Sequence, residues 1–170
     1  MLYHFKLDTL NQEFLPQAIL EKGNFKLTNF ELEEEGRAYK ACTFKLNNTR
    51  VICRTAKATP KKEGQFVTFW KRNAEGVTVP FSEDDAFDFY VINVHDRERF
   101  GQFIIPKAVG LEQGLVHSAI KPGKRGFRVY PSWVVPTNNQ AKQTQSWQLN
   151  YFVSLITPID IDLLNKRYTI

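Results

Sequence analysis

By residue type, the strongest candidates for chemistry in this chain are Lys57, Asp88 and Gln102. Phosphodiester hydrolysis by a divalent cation needs carboxylate oxygens on the metal. In one common arrangement a lysine follows two places along the same strand, so that its ammonium stands beside the attacking water. No lysine here has Asp or Glu two places before it. Thr55-Ala56-Lys57 offers a hydroxyl in that position, and Lys107 lies beyond Pro106 from Gln102. Ordinary two-metal hydrolysis is therefore not expected, and Lys57, Asp88 and Gln102 stand as catalytic candidates without an assigned reaction. His4, His95 and His117 share no ligand spacing with one another or with Cys42 and Cys53, which argues against zinc. Neither a Gly-x-x-x-x-Gly-Lys loop nor a dinucleotide fingerprint occurs. No metal and no cofactor is expected.

Basic residues interleaved with aromatics point instead to a polyanion. The run from Arg54 to Arg72 holds Lys57, Lys61, Lys62 and Lys71 together with Phe66, Phe69 and Trp70, and Glu63 is its only acid. A second run, Lys121 to Trp133, holds Lys124, Arg125, Phe127, Arg128 and Tyr130. Residues 45–72 carry eight Lys/Arg against one acid, and residues 113–159 carry five against none. Residues 73–112 carry three against eight, so the formal net charge of +5 averages over segregated blocks. Segregated charge steers anionic partners, although charge runs often become solvated faces whose signs alternate in space. Arg54, Lys61, Lys62, Lys71, Arg72, Lys124, Arg125 and Arg128 are the expected phosphate contacts. Phe69, Trp70 and Trp133 are the expected stacking residues, Trp70 and Trp133 the better exposed of them; Phe66 and Phe127 are expected in the core.

The elements that must carry these residues are mostly strands. Leu10, Phe14, Ala18 and Ile19 recur at helical spacing over 8–22, with Asp8 as N-cap, Gly23 as stop and Pro16 as a possible kink. Strands are predicted over 39–46, 49–57, 66–71, 88–95, 101–105 and 127–130. Asn47-Asn48 suits a two-residue hairpin turn, which would pair Cys42 with Cys53, Phe44 with Val51 and Leu46 with Thr49. Continued alternation then puts Lys57 at the edge of the buried face, where its charge needs a partner, Asp88 first. The alternative is a strand that ends near Thr55, leaving Lys57 in water. Residues 88–95 are apolar on both faces and should form a central strand. Pro106 should open a short helix that Gly114 closes, and 140–155 should be a helix whose polar side lacks acids.

At 170 residues and 42% hydrophobic content the chain is expected to form one domain. Its parts are an N-terminal helical region (1–37), a sheet core with a C-terminal helix (38–156) and a weakly structured tail (157–170). No apolar run approaches membrane-spanning length, and two cysteines with one methionine build neither a disulfide framework nor a metal cage. A monomeric cytoplasmic protein without membrane contact is the expectation, with its cysteines reduced.

Six segments then carry a resemblance. They are Ala56–Lys62, Gly64–Arg72, Phe87–Tyr90, Phe100–Lys107, Gly123–Pro131 and Ala141–Phe152. In this order they resemble the MepB family from about Tyr39 to Phe152. Members of that family are encoded beside a multidrug efflux pump and its MarR-type repressor in staphylococci. The resemblance implies an α/β fold like that of restriction endonucleases, with a mixed central sheet and flanking helices. It also implies contact with nucleic acid and a link to efflux. Against that background the missing carboxylate-x-Lys suggests a nuclease-like scaffold whose metal ligands are replaced. The expected function is binding of nucleic acid, DNA in the first instance, without cleavage. One alternative is an atypical Mg²⁺-dependent nuclease assembled from Asp88, Glu35 and Lys57, with Gln102 orienting water. The other is a module that takes a small anionic or drug-like ligand near Lys57, Asp88 and Gln102.

Overall fold

The computed structural model describes residues 17–169. Helix α1 (Gln17–Lys22) stops at Gly23 as its sequence predicts, while Asp8 and Pro16 lie outside the described residues. The region up to residue 37 is not helical throughout, because Leu27–Leu32 forms strand β1. β1 pairs antiparallel with β2 (Cys42–Leu46), and Leu27 and Phe30 pack against the apolar face that β2 presents. Pairing and burial decide this segment rather than local propensity. A 3-10 helix (Glu34–Tyr39) bridges the two strands, so the strand predicted from residue 39 starts at Cys42.

The hairpin from β2 to β3 (Thr49–Thr55) has the predicted register, Cys42 opposite Cys53 and Phe44 opposite Val51, with Asn47 at φ 54° in its turn. Both thiols are free and buried. The hydrogen bond to Cys53, together with burial, pushes the Cys42 thiol far above its ordinary range. β3 runs parallel to β8 (Phe89–Asp96), which turns back into β9 (Arg99–Pro106), and β9 pairs with β11 (Phe152–Ser154). The result is a mixed six-stranded sheet in the order β1-β2-β3-β8-β9-β11. β8 is buried on both faces from Phe89 to Val94, as its unbroken apolar run requires.

The chain leaves this sheet at Ala56, whose N–H donates to the Asn93 carbonyl, and this departure separates Lys57 from the buried face. It then forms β4 (Lys57–Thr59), β5 (Lys62–Thr68), β6 (Trp70–Arg72) and β7 (Thr78–Pro80). β4 and β5 join β10 (Gly126–Val129) in a second antiparallel sheet, and β6 pairs with β7 alone. The single strand predicted over 66–71 is thus two strands broken at Phe69. That side chain turns into an aromatic cluster, stacking on Tyr90 at 4.1 Å and lying 4.8 Å from Phe81. Phe69 is 1% exposed, so it is core and not stacking surface.

Each face of the large sheet has its own cover. Ile52, Tyr90, Ile92, Phe103 and Ile105 pack against Val67, Phe69, Phe127 and Val129 of the smaller strands. Val109 and Leu111 of α2 (Lys107–Glu112) and Trp147 of α3 (Asn139–Gln148) close that layer. On the other face Cys42, Phe44, Val51, Cys53, Phe89 and Val91 meet Leu164 and Tyr168. Leu164 belongs to α4 (Ile161–Arg167), capped by the Asp160 carboxylate, so the tail is structured where looseness was expected. Leu164 is fully buried, and removing that apolar surface from water is what holds the helix.

Candidate nucleic-acid interface

A cleft of about 950 Å³ opens between α3 and the β5–β10 edge of the second sheet. Its walls carry four cations, Lys61, Lys62, Lys124 and Arg128, and one acid, Glu63. Phe127, Tyr130 and Trp147 supply aromatic surface, and Gln113, Asn138, Gln140 and Thr144 supply uncharged polar groups.

The local chemistry explains the shape. Gly64 sits mid-strand at φ 72°, and a Cβ there would lie 2.7 Å from the Tyr130 ring, so only glycine lets Tyr130 close down on β5. β10 is bonded to β5 on one edge. Its other edge is met by a side chain: Gln148, fully buried, accepts from Tyr130 N–H and donates to the Arg128 carbonyl, both at 2.9 Å. The amide thereby replaces a neighbouring strand. Gln145 donates to the carbonyls of Pro131 and Val134. α3 is therefore fastened through amides, and part of its polar side is turned inward. The helix also ends at Gln148, giving way to a 3-10 turn and β11, short of the predicted residue 155.

Arg128 is half-buried and donates to the Glu63 carbonyl at 3.0 Å and to the Thr59 hydroxyl, so it braces the cleft floor. Lys61 and Lys62, on the turn joining β4 to β5, and Lys124 are exposed. The Glu63 carboxylate accepts from Thr137 N–H at 3.0 Å, and that bond holds its pKa below the ordinary carboxylate value. The one acid is thus committed to the loop that starts α3. Arg125 is exposed beside Lys124 but outside the cleft lining.

The other expected contacts lie elsewhere. Arg54 is 3% exposed, paired with Glu33 at 2.6 Å and donating to the Cys53 carbonyl at 2.8 Å, so no phosphate reaches it. Lys71 pairs with Asp85, and Arg72 grips both Glu35 oxygens at 2.6 Å while lying 5.6 Å from the Trp70 ring centroid. Those acids are remote in sequence and close in space, which is why the Arg54–Arg72 run overstates the local field. Trp133 packs edge-on to Phe152 with Arg99 over its ring, and Trp70 lines a smaller cleft of about 380 Å³ beside Glu33, Glu34 and Glu35.

The candidate catalytic set is not brought together. Lys57 is exposed, its ammonium 5.1 Å from the Tyr39 ring centroid. The Asp88 carboxylate accepts from Arg50 N–H at 2.6 Å at the opposite end of β3. Arg50 to Thr55 spans roughly 17 Å of strand, so Lys57 and Asp88 do not pair. Gln102 is fully buried, donating to Asn93 at 2.7 Å and accepting from the Tyr168 hydroxyl at 3.1 Å. Glu35 is held by Arg72. Among the described residues no three of His, Cys, Asp and Glu come together as a metal site, and these four residues do not fit a shared Mg²⁺.

Trp147, Gln140, Asn138 and Gln148 are among the lining residues that sequence reasoning did not select. Their signal was the absence of any acid from residue 113 to 159.

A mixed α/β core bearing a basic cleft defines the class, and comparison with known proteins gives the family. Residues 33–154 match the MepB-like family model, so the chain belongs to that family. The crystal structure of MepB is similar at 33% identity and TM-score 0.76, covering 85% of this chain and 99% of that one. A bacterial homing endonuclease, I-Ssp6803I, is similar at 16% identity and TM-score 0.46 over 85% of this chain and 90% of its own, a likeness too slight to carry residue roles across. No protein of curated function matches. Among the described residues no helix is long and apolar enough to cross a membrane.

Proposed function

We propose that this protein binds DNA through the cleft between α3 and the second sheet, and that it does so without cutting the strand. The observation that carries this reading is the lining itself: four cations face one acid, and that acid is already engaged with Thr137. Such a surface attracts phosphate, and its cations release the counterions condensed on the nucleic acid. The proposal without cleavage rests on the scattering of Lys57, Asp88, Glu35 and Gln102; among the described residues no three of His, Cys, Asp and Glu gather to hold a hydrolytic cation. A link to efflux remains a property that family resemblance suggests.

Fluorescence anisotropy with labelled DNA at graded salt tests the binding. Affinity should fall linearly on a log–log plot. Changing Lys61, Lys62 and Lys124 to Ala should flatten the slope by roughly 0.9 per lost contact on duplex, or 0.7 on a single strand. Arg128 is left intact because it braces the floor. Unchanged affinity and slope in the folded triple variant would remove the cleft from the interface. Incubation with Mg²⁺ or Mn²⁺ should leave DNA intact; cutting that disappears in Asp88→Asn would overturn the second half of the proposal.

A further inference from the structure

We infer that the cleft is built for a single strand, with one base stacked on Trp147. This rests on the DNA-binding reading above and narrows it. Two kinds of observation favour it.

The first is shape. A protein that reads duplex DNA sets a helix or a two-stranded ribbon into a major groove about 12 Å wide. Here the cations line a concavity, and the adjoining helix is drawn inward. Gln145 and Gln148 tie α3 to the backbone of residues 128–134, which leaves it recessed beside β10. The volume, about 950 Å³, is at the upper end for small-molecule sites. A few extended nucleotides fit that space, and a rigid double helix does not enter it.

The second is the distribution of chemistry across the cleft. Lys61 and Lys62 stand on the β4–β5 turn and Lys124 on the approach to β10, all exposed, so a phosphate backbone can run along the rim. The interior is different: Phe127, Tyr130 and Trp147 line it together with uncharged amides, and the one cation at its floor, Arg128, is engaged by the Glu63 carbonyl and the Thr59 hydroxyl. Phe127 and Tyr130 are 8% and 9% exposed and form wall, whereas Trp147 is half-buried and has ring surface left to offer. Cations outside and an aromatic face inside is the division of labour that single strands need, because their bases are free to turn inward. In a duplex the bases are already stacked on each other, and an aromatic at the bottom of a cleft meets nothing.

Oligo(dT) is the probe, since it forms no hairpins, with a blunt duplex of equal length as comparison. Oligo(dT) should bind at least tenfold tighter than duplex at one salt concentration. Bound oligo(dT) should quench tryptophan emission, and the quenching should persist in Trp70→Phe and vanish in Trp147→Leu. Stacking of one base on an aromatic gives Trp147→Leu an expected affinity loss of about five- to a hundredfold. Trp147→Phe keeps an aromatic face in case leucine disturbs the packing of α3, and it should retain most of the affinity. Equal or tighter binding of duplex, with Trp147→Leu neutral, would overturn the single-strand inference while leaving DNA binding in place. Binding of neither probe would sink the underlying reading as well.

Discussion

Gln148 shows how one side chain can set the geometry of a site. Its amide offers a donor and an acceptor about as far apart as those of a strand residue, and it satisfies both free groups on the outer edge of β10. Gln148→Leu keeps the volume and strands two buried backbone groups, each worth about 1–3 kcal/mol. The thermal midpoint should fall by about 5–15 °C, whereas exposed Gln143→Leu should move it by less than about 2 °C. Equal small shifts would show that water replaces the amide. Lys57 and Asp88 make the complementary case. Lys57→Met should change stability by about 0.5 kcal/mol or less, and Asp88→Ala by about 1 kcal/mol through its bond to Arg50 N–H. The double variant should be additive, since the two lie at opposite ends of β3. Coupling above about 1 kcal/mol would contradict the placement of Lys57 over Tyr39. The role of Gln148 was not legible beforehand: periodicity assigns a glutamine to a polar face and cannot say that the face is turned toward a strand edge.

Elements were legible where alternation and turn chemistry agreed. Asn47-Asn48 and the flanking Cys42, Phe44, Val51 and Cys53 specify one hairpin register, and the run from Phe89 to Val94 specifies a strand covered on both faces. The break at Ala56 was legible only as the alternative of a strand ending near Thr55, because Thr55, Ala56 and Lys57 continue the alternation while the chain turns to a second sheet. α4 was missed for another reason. Seven residues with Leu164 as their one fully buried side chain give too short a period to recognise, and the helix exists by docking on the Val91–Ile104 face. Leu164→Ala should therefore cost about 2–5 kcal/mol, read by chemical denaturation. A cost under about 1 kcal/mol would mean that α4 lies loosely on the sheet. The α3 loop has its own titration. Glu63 is depressed mainly by Thr137 N–H, so the tether is complete above the unfolded carboxylate value of 4.5 and is lost as pH falls through the lower folded value. The Thr137 amide shift should follow that titration below pH 4.5 and become flat in Glu63→Gln.

For the whole molecule, the arrangement of charge matters more than its total. Summed along the chain, residues 45–72 hold a large basic excess, but folding brings Glu33 to Arg54, Glu35 to Arg72 and Asp85 to Lys71. Acids at the start of the 3-10 helix and in the loop after β7 thus neutralise three of the eight cations in that block. Lys61 and Lys62 instead face the cleft with Lys124, where Glu63 is the one acid of the lining. Net charge and local field can therefore be separated by experiment. Lys61→Gln with Lys62→Gln, and Lys71→Gln with Arg72→Gln, each lower the formal net charge by two from +5. If total charge governed attraction of DNA, both doubles would weaken binding alike and share one salt dependence. If phosphates sit in the cleft, only the first double releases fewer counterions, and its log–log slope on oligo(dT) should fall by about 1.4. The second double frees Asp85 and Glu35 at a distance from the cleft, where ionic strength near 0.15 M screens them beyond about 8 Å, so its slope should match the parent protein. A lower slope in the second double alone would return the interface to the Trp70 side, where the sequence alone had placed half of it.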